Sequence, residues 1–238
     1  MKDFFAIILN KCLSFGCYIL KPLFKKDGSV TPGYYASKLN KTILDDLKYP
    51  KYVIGVTGSS GKGSTTSMIA HILSNSGYKV VWNKNGSNLY NAAITLILNH
   101  TNPFTKKINA DVLLMELDES FISKIFNKQK LTHLVVTNVT RDQPARNGSP
   151  DIIFDKIASS IDDSTHLVIN ADDPIVSRLK LTHKNITTYG IDKTKYDLKK
   201  PISNNVDAAY CPKCDTKLKY SFYHYGHIGS YSCPKCDF

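Results

Sequence analysis

The segment Tyr52-Val53-Ile54-Gly55-Val56-Thr57-Gly58-Ser59-Ser60-Gly61-Lys62-Gly63-Ser64-Thr65-Thr66 decides what this chain builds. Tyr52–Thr57 is a short apolar, β-branched run and predicts a strand. Gly58 and Gly61 permit a tight turn. From Lys62 onward the spacing of Met68, Ile69, Ile72 and Leu73 predicts a helix with those four residues on one face, ended by Gly77. A helix that starts this way has N–H groups without intrahelical partners, and these can hold phosphate oxygens. Gly58, Ser59, Ser60, Gly61, Lys62, Gly63, Ser64 and Thr65 are therefore the candidate phosphate-binding residues. Lys62 would reach the β- and γ-phosphates of a nucleotide such as ATP, and a nearby hydroxyl would serve Mg²⁺. The strict pattern G-x-x-x-x-G-K-[ST] fails at two places, Val56 and Gly63, which leaves Ser64 or Thr65 as the hydroxyl for the metal.

Outward from this loop, short strands and helices alternate. Strands are expected at Lys79–Trp82, Val112–Leu117, Thr132–Val139, His166–Asn170 and Asn185–Gly190. Helices are expected at Leu89–Leu98, Glu119–Phe126, Pro150–Ile161 and Pro174–Leu179. Continuous apolar strands separated by helices predict an α/β fold with a mostly parallel sheet covered on both faces. Ligands in such folds sit at the carboxyl ends of the strands. Glu116 and Asn138 fall there, as does the loop after Val56. A carboxylate at 116 can hold Mg²⁺ beside the phosphates, since Mg²⁺ takes one or two carboxylates plus water and phosphate oxygens. Asp118 and Glu119 are alternatives for capping the next helix.

The 238 residues are 42% hydrophobic and 21% charged, with a formal charge of +11. This composition excludes a disordered chain, and the charge favours anionic partners without choosing among them. Met1–Phe24 is apolar but interrupted by Lys11 and Lys21. It reads as an amphipathic helix that packs on its own domain or rests on a membrane surface or partner, not as a signal peptide or a span. Cys12 and Cys17 within it read as buried thiols.

Cys211-Pro212-Lys213-Cys214 and Cys233-Pro234-Lys235-Cys236 form two knuckles with 18 residues between them. In a chain without an export signal this spacing predicts a four-thiolate Zn²⁺ site and a reducing, cytoplasmic compartment. Such a site is closed, so its role is structural. Lys213, Lys217, Lys219 and Lys235 can offset its negative charge. Tyr220, Phe222, Tyr223, Tyr225 and Tyr231 read as the module's small core, with nucleic-acid stacking as the alternative. His224 and His227 could compete as ligands, but the knuckles already fill four positions.

The shortened loop Thr57-Gly58-x-x-Gly61-Lys62 resembles the Mur ligase and folylpolyglutamate synthase superfamily. Thr137-Asn138-Val139-Thr140-Arg141-Asp142-Gln143 is similar to its T-N-x-x-x-D-H stretch, with Gln143 in the place of a histidine that helps bind a second metal. The Arg141-Asp142-Gln143 triplet, the four-cysteine ribbon with its Tyr225–Cys236 run, Asn170–Pro174, Tyr189–Asp192, Gly28–Gly33 and Gly86–Leu89 together resemble the MurT family, the ligase subunits of lipid II isoglutaminyl synthases. That resemblance spans about Gly28 to Cys236. It implies a Mur ligase-type central ATPase domain over 47–200, preceded by an amphipathic helix and lead-in segment over 1–46 and followed by an inserted zinc ribbon over 205–238. It implies Lys62 and Glu116 as catalytic residues, ATP, Mg²⁺ and Zn²⁺ as cofactors, and Glu116 and Ser64 as magnesium ligands. It also implies a GatD-type glutaminase as partner and lipid II at the inner membrane face as substrate, with no nucleic acid. The Gly63-Ser64 pair looks more like the folate branch. Ala145 stands where the family carries an acid. The family continues beyond the ribbon through the rest of the ATPase domain and a C-terminal domain, so this stretch alone is expected not to amidate lipid II. A folylpolyglutamate synthase-like ligase and a non-catalytic nucleotide- or nucleic-acid-binding zinc-ribbon protein are the alternatives.

Overall fold

A computed structural model of the chain describes residues 1–24, 28–84, 88–141, 149–202 and 207–238. The six strands expected of a parallel sheet are present, three in each of two compact units. The first unit comprises Met1–Thr57 and Lys62–His133, the second Gly58–Gly61 and Leu134–Phe238.

The first unit opens with three helical elements, α1 (Lys2–Phe24), α2 (Thr31–Leu39) and a 3-10 turn (Ile43–Asp46). Strand β1 (Tyr52–Thr57) and helix α3 (Lys62–Asn75) fall where the sequence places them, as do β2 (Val80–Trp82), α4 (Tyr90–Asn99) and β3 (Val112–Glu116). Helix α5 is a single turn, Ile122–Ile125. The strands lie in the order β2-β3-β1 and pair in parallel, with Tyr52 and Val80 both in register with Val112. Every residue of β3 is buried, as a central strand covered on both faces requires.

Helix α2 was not readable, because Thr31-Pro32-Gly33 looks like a turn. Proline is tolerated in a first helical turn. Gly33 is set by packing: a Cβ there would lie 2.0 Å from the Asn91 carbonyl oxygen and 2.8 Å from Thr95 Oγ1. Its N–H donates to Thr95 Oγ1 at 2.8 Å, which brings α2 directly onto α4.

Two expectations are corrected here. In α3 the inward residues are Thr66 and Ala70, flanked by half-buried Ile69 and Leu73, whereas Met68 and Ile72 are 58% and 64% exposed. In α1 the buried side chains are Asp3, Ala6, Ile7 and Asn10, spaced three and four apart. Cys12 lies off that stripe and is exposed, and Cys17 is only half-buried. Phe5, Phe15, Tyr18, Ile19 and Leu20 are exposed. By length and composition Lys2–Lys21 is apolar enough to cross a membrane, more than its lysines led the sequence reading to allow.

The second unit holds β4 (His133–Val136), α6 (Pro150–Ala158), β5 (His166–Asn170), α7 (Pro174–Ser177) with a following 3-10 turn (Arg178–Leu181), and β6 (Ile186–Tyr189). Several are a few residues shorter than their apolar runs. The strand order is β4-β5-β6, with β5 and β6 in parallel register from Leu167↔Ile186 to Asn170↔Tyr189. A separate antiparallel hairpin, β7 (Lys219–Tyr225) and β8 (Ile228–Ser232), carries the cysteine knuckles at its base.

Candidate functional site

In the second unit, the loop residues Gly58–Gly61 are fixed by the segment that leaves β4. Ser59 N–H donates to the Asn138 carbonyl at 2.8 Å. The Ser59 hydroxyl donates to the Thr140 carbonyl at 3.1 Å and accepts from Thr140 N–H at 2.8 Å. The Asn138 side chain grips Ser60 at both ends, its Oδ1 accepting from Ser60 N–H at 3.0 Å and its amide donating to the Ser60 carbonyl at 3.0 Å. Thr137 Oγ1 donates to the same carbonyl at 2.8 Å. Asn138 therefore shapes the loop through both ends of its amide.

Gly58 has φ +131°. A Cβ there would lie 2.3 Å from Thr137 Oγ1 and 2.7 Å from the Asn138 carbonyl oxygen. Gly58→Ala is thus expected to destabilise the protein by about 2 kcal/mol or more, combining a forbidden φ with a clash against backbone. A urea titration comparing the two proteins measures it.

In the first unit, Lys62 opens α3 and Glu116 closes β3. Glu116 is 8% exposed. Its backbone is pinned by Asn83, whose Oδ1 accepts from Glu116 N–H at 2.8 Å and whose amide donates to the Glu116 carbonyl at 3.0 Å. A Cβ at Gly63 would sit 3.3 Å from Glu116 Oε2, so the carboxylate faces the first turn of α3. Burial raises the Glu116 pKa above the ordinary carboxylate value, and the charge of Lys62 pulls it back down. A folded-state pKa above the unfolded one means that the ionised carboxylate works against folding. Its penalty is absent below the unfolded pKa, grows between the two values and is complete above the folded one. Glu116→Gln should therefore melt higher than the wild type at pH 7 without ligand, while weakening Mg²⁺-nucleotide binding about tenfold or more. Thermal melts with and without Mg²⁺-ATP separate the two effects.

Among the other expected loop residues, Ser64 is exposed and Thr65 half-buried. Thr66 Oγ1 donates to the Lys62 carbonyl at 2.8 Å, within the helix. Asp118 accepts from Ser120 N–H at 2.9 Å, a turn two residues long, and α5 has no side-chain cap. Gly86, Asp142, Gln143 and Ala145 lie outside the described residues. Arg141 is half of an ion pair, Nε to Asp207 Oδ1 at 2.5 Å, on the wall of a cleft of about 630 Å³ that also involves Tyr210 and Tyr220.

The four cysteines converge as their spacing predicts. Their Sγ atoms all lie within 4.8 Å of one another, with Cys211–Cys236 at 3.6 Å and Cys214–Cys233 at 3.4 Å. A tetrahedral zinc with bonds of about 2.3 Å needs sulfur–sulfur edges of about 3.8 Å, so the donor set fits. Lys213 N–H donates to Cys211 Sγ and Lys235 N–H to Cys233 Sγ, each at 3.4 Å. Thr216 holds the Cys214 thiol down at about 6. Lys213 Nζ is engaged by Asp237 at 2.5 Å. Both histidines point elsewhere: His224 bonds Asp197 and the Ile191 carbonyl, and His227 bonds Asp173.

Within the first unit Asn83 pins Glu116, and within the second Asp173 and Thr137 hold the segment after β4 and the loop, yet the sequence reading gave none of the three a role. Each follows the carboxyl end of a strand, and Thr137 and Asp173 also lie in the stretches Thr137–Gln143 and Asn170–Pro174.

The parallel α/β sheet and the shortened glycine-lysine loop after β1 are those of a Mur ligase middle domain. The chain belongs to the Mur ligase family, residues 56–226 matching the Mur ligase middle domain. It is similar to subunit MurT of the glutamine-hydrolysing lipid II isoglutaminyl synthase of Staphylococcus aureus strain COL, at 32% identity over 90% of this chain and 47% of the relative. It is likewise similar to the MurT of Streptococcus pneumoniae strain R6, at 29% identity over 88% of this chain and 46% of the relative. The chain thus spans about half the length of the curated relatives it matches. Among solved structures it shares its fold with the MurF ligase of Thermotoga maritima in complex with ADP, with a TM-score of 0.53, 21% identity, and coverage of 70% of this chain and 40% of that one. MurF of Acinetobacter baumannii gives a TM-score of 0.51 at 16% identity, over 68% of this chain and 36% of that one.

Proposed function

We propose that this chain forms the ATP-binding part of an amide ligase subunit that converts the α-carboxyl of D-glutamate in lipid II to D-isoglutamine. The observation that carries the reading is the combination of the Lys62 loop with the four-cysteine hairpin in a chain whose relatives are MurT subunits. In this reading the substrate carboxylate attacks the γ-phosphorus of ATP and ADP departs, leaving an acyl phosphate. Ammonia from a GatD-type glutaminase attacks the carbonyl carbon, and inorganic phosphate leaves.

Lys62 stabilises charge on the transferring phosphoryl group, and the first N–H groups of α3 orient it. Glu116 and Ser64 would hold Mg²⁺, which when bound neutralises charge on the phosphate oxygens. Asn138 contributes by holding Ser60. The four thiolates would bind Zn²⁺ in a structural role.

The lipid substrate places the reaction on the cytoplasmic membrane face. The exposed apolar side chains of α1 and its terminal Lys21 suit a helix resting there. The nucleic-acid reading loses support from the hairpin's aromatics: Tyr220 stacks on Tyr223 with centroids 4.3 Å apart, and its hydroxyl donates to backbone carbonyls of Ala208 and His227.

Deleting the gene from the cell that carries it tests the reading. The D-isoglutamine fraction of its peptidoglycan stem peptides, read by mass spectrometry, should fall sharply. An unchanged fraction would sink the proposal.

A further inference from the structure

The cysteine hairpin reaches the nucleotide loop through a specific set of contacts. Asp173 is fully buried and is the N-cap of α7, accepting from Ile175 and Val176 N–H at 2.8 and 3.3 Å. Its second oxygen accepts from Val139 N–H at 2.8 Å. Val139 lies between Asn138 and Thr140, the two residues that fix Ser59 and Ser60. The remaining partner of Asp173 is His227, buried at the turn of the hairpin, whose Nε2–H donates to Oδ1 at 3.2 Å. One further bond anchors that turn: Gly229 N–H donates to the Asp172 carbonyl at 2.9 Å.

A four-cysteine ribbon added only for folding needs no buried charged contact with the strand ends. This one places an imidazole against the carboxylate that organises the exit of β4. A buried, hydrogen-bonded carboxylate is sensitive to the loss of one partner, because the remaining charge stays desolvated.

We propose that His227 is a positioning residue for the phosphate loop: through Asp173, Val139 and Asn138, the cysteine hairpin sets the conformation that binds nucleotide. The metal site is thereby coupled to nucleotide affinity. The proposal rests on the reading that Gly58–Ser64 hold ATP.

The experiment is calorimetric titration of Mg²⁺-ATP into the full chain, with metal content and melting temperature measured on each protein. His227→Leu should weaken binding about tenfold while retaining one zinc per chain. His227→Gln, whose amide can still donate to Asp173, should return the affinity to within about twofold of the wild type. Chelated, zinc-free protein should show the same loss of affinity, and it carries the test if His227→Leu fails to fold. A purely structural hairpin would give a lower melting temperature for His227→Leu with unchanged affinity in the folded protein, and unchanged affinity after zinc removal. Either result overturns the proposal. Failure of the wild-type chain to bind Mg²⁺-ATP would instead overturn the nucleotide reading beneath it.

Discussion

Removing zinc from the cysteine site should unfold residues 207–238. The buried apolar side chains of this module are Ala208, Leu218, Ile228 and two of the cysteines themselves, Cys211 and Cys233, with Tyr220, Tyr231 and Phe238 only partly covered. Burying one leucine and one isoleucine contributes about 3–6 kcal/mol. Fixing the backbone costs roughly 1 kcal/mol or more for each ordered residue. A core of this size cannot offset that cost, whereas a four-thiolate zinc contributes about 10–16 kcal/mol. Bound zinc is therefore expected to decide whether the hairpin folds. Hydrogen exchange followed by mass spectrometry should show protection across Lys219–Ser232 in the zinc-loaded protein and its loss after chelation. Cys214→Ser should reproduce the loss. Undiminished protection in metal-free protein would show that the module folds on its packing alone.

The second large effect is expected at Lys62. Lys62→Ala should weaken Mg²⁺-ATP binding by about 100-fold or more, because the proposed charge-assisted contact with phosphate would be lost without replacement. The variant has a second consequence on the protein side. Lys62 lowers the pKa of Glu116 against the effect of burial. Without it, the Glu116 carboxyl moves further up and becomes less available to a cation. Lys62→Arg should restore only part of the binding, since a planar guanidinium does not fit a turn shaped for a compact ammonium. Calorimetry on the three proteins, with melting curves as a folding control, distinguishes loss of binding from loss of structure.

The sequence placed the loop, its strand and its helix correctly, because their code is local: an apolar run, two glycines, a lysine and a helical period within fifteen neighbouring positions. The cysteine site was readable for the same reason. What failed depended on partners far along the chain. Met68, Ile69, Ile72 and Leu73 form an apolar stripe, and periodicity cannot say which edge of it turns inward. Packing of Thr66 and Ala70 decides, leaving Met68 and Ile72 outside. Cys12 was assigned to the interior on residue type, yet the stripe Asp3-Ile7-Asn10 sets the orientation of α1. Asn83 reaches Glu116 across 33 residues, Asp173 reaches Val139 across 34, and His227 reaches Asp173 across 54. No local pattern encodes such contacts. They were also obscured by chemistry, since a histidine near cysteines reads first as a metal ligand.

The functional reading depends on the phosphate loop serving amidation of lipid II. The most direct measurement introduces Lys62→Ala into a strain lacking the native gene, confirms an unchanged protein level, and determines the fraction of stem peptides carrying D-isoglutamine. Restoration by the wild-type gene and none by Lys62→Ala is the predicted result. Equal restoration by both would contradict it, because the ATP chemistry would then lie elsewhere.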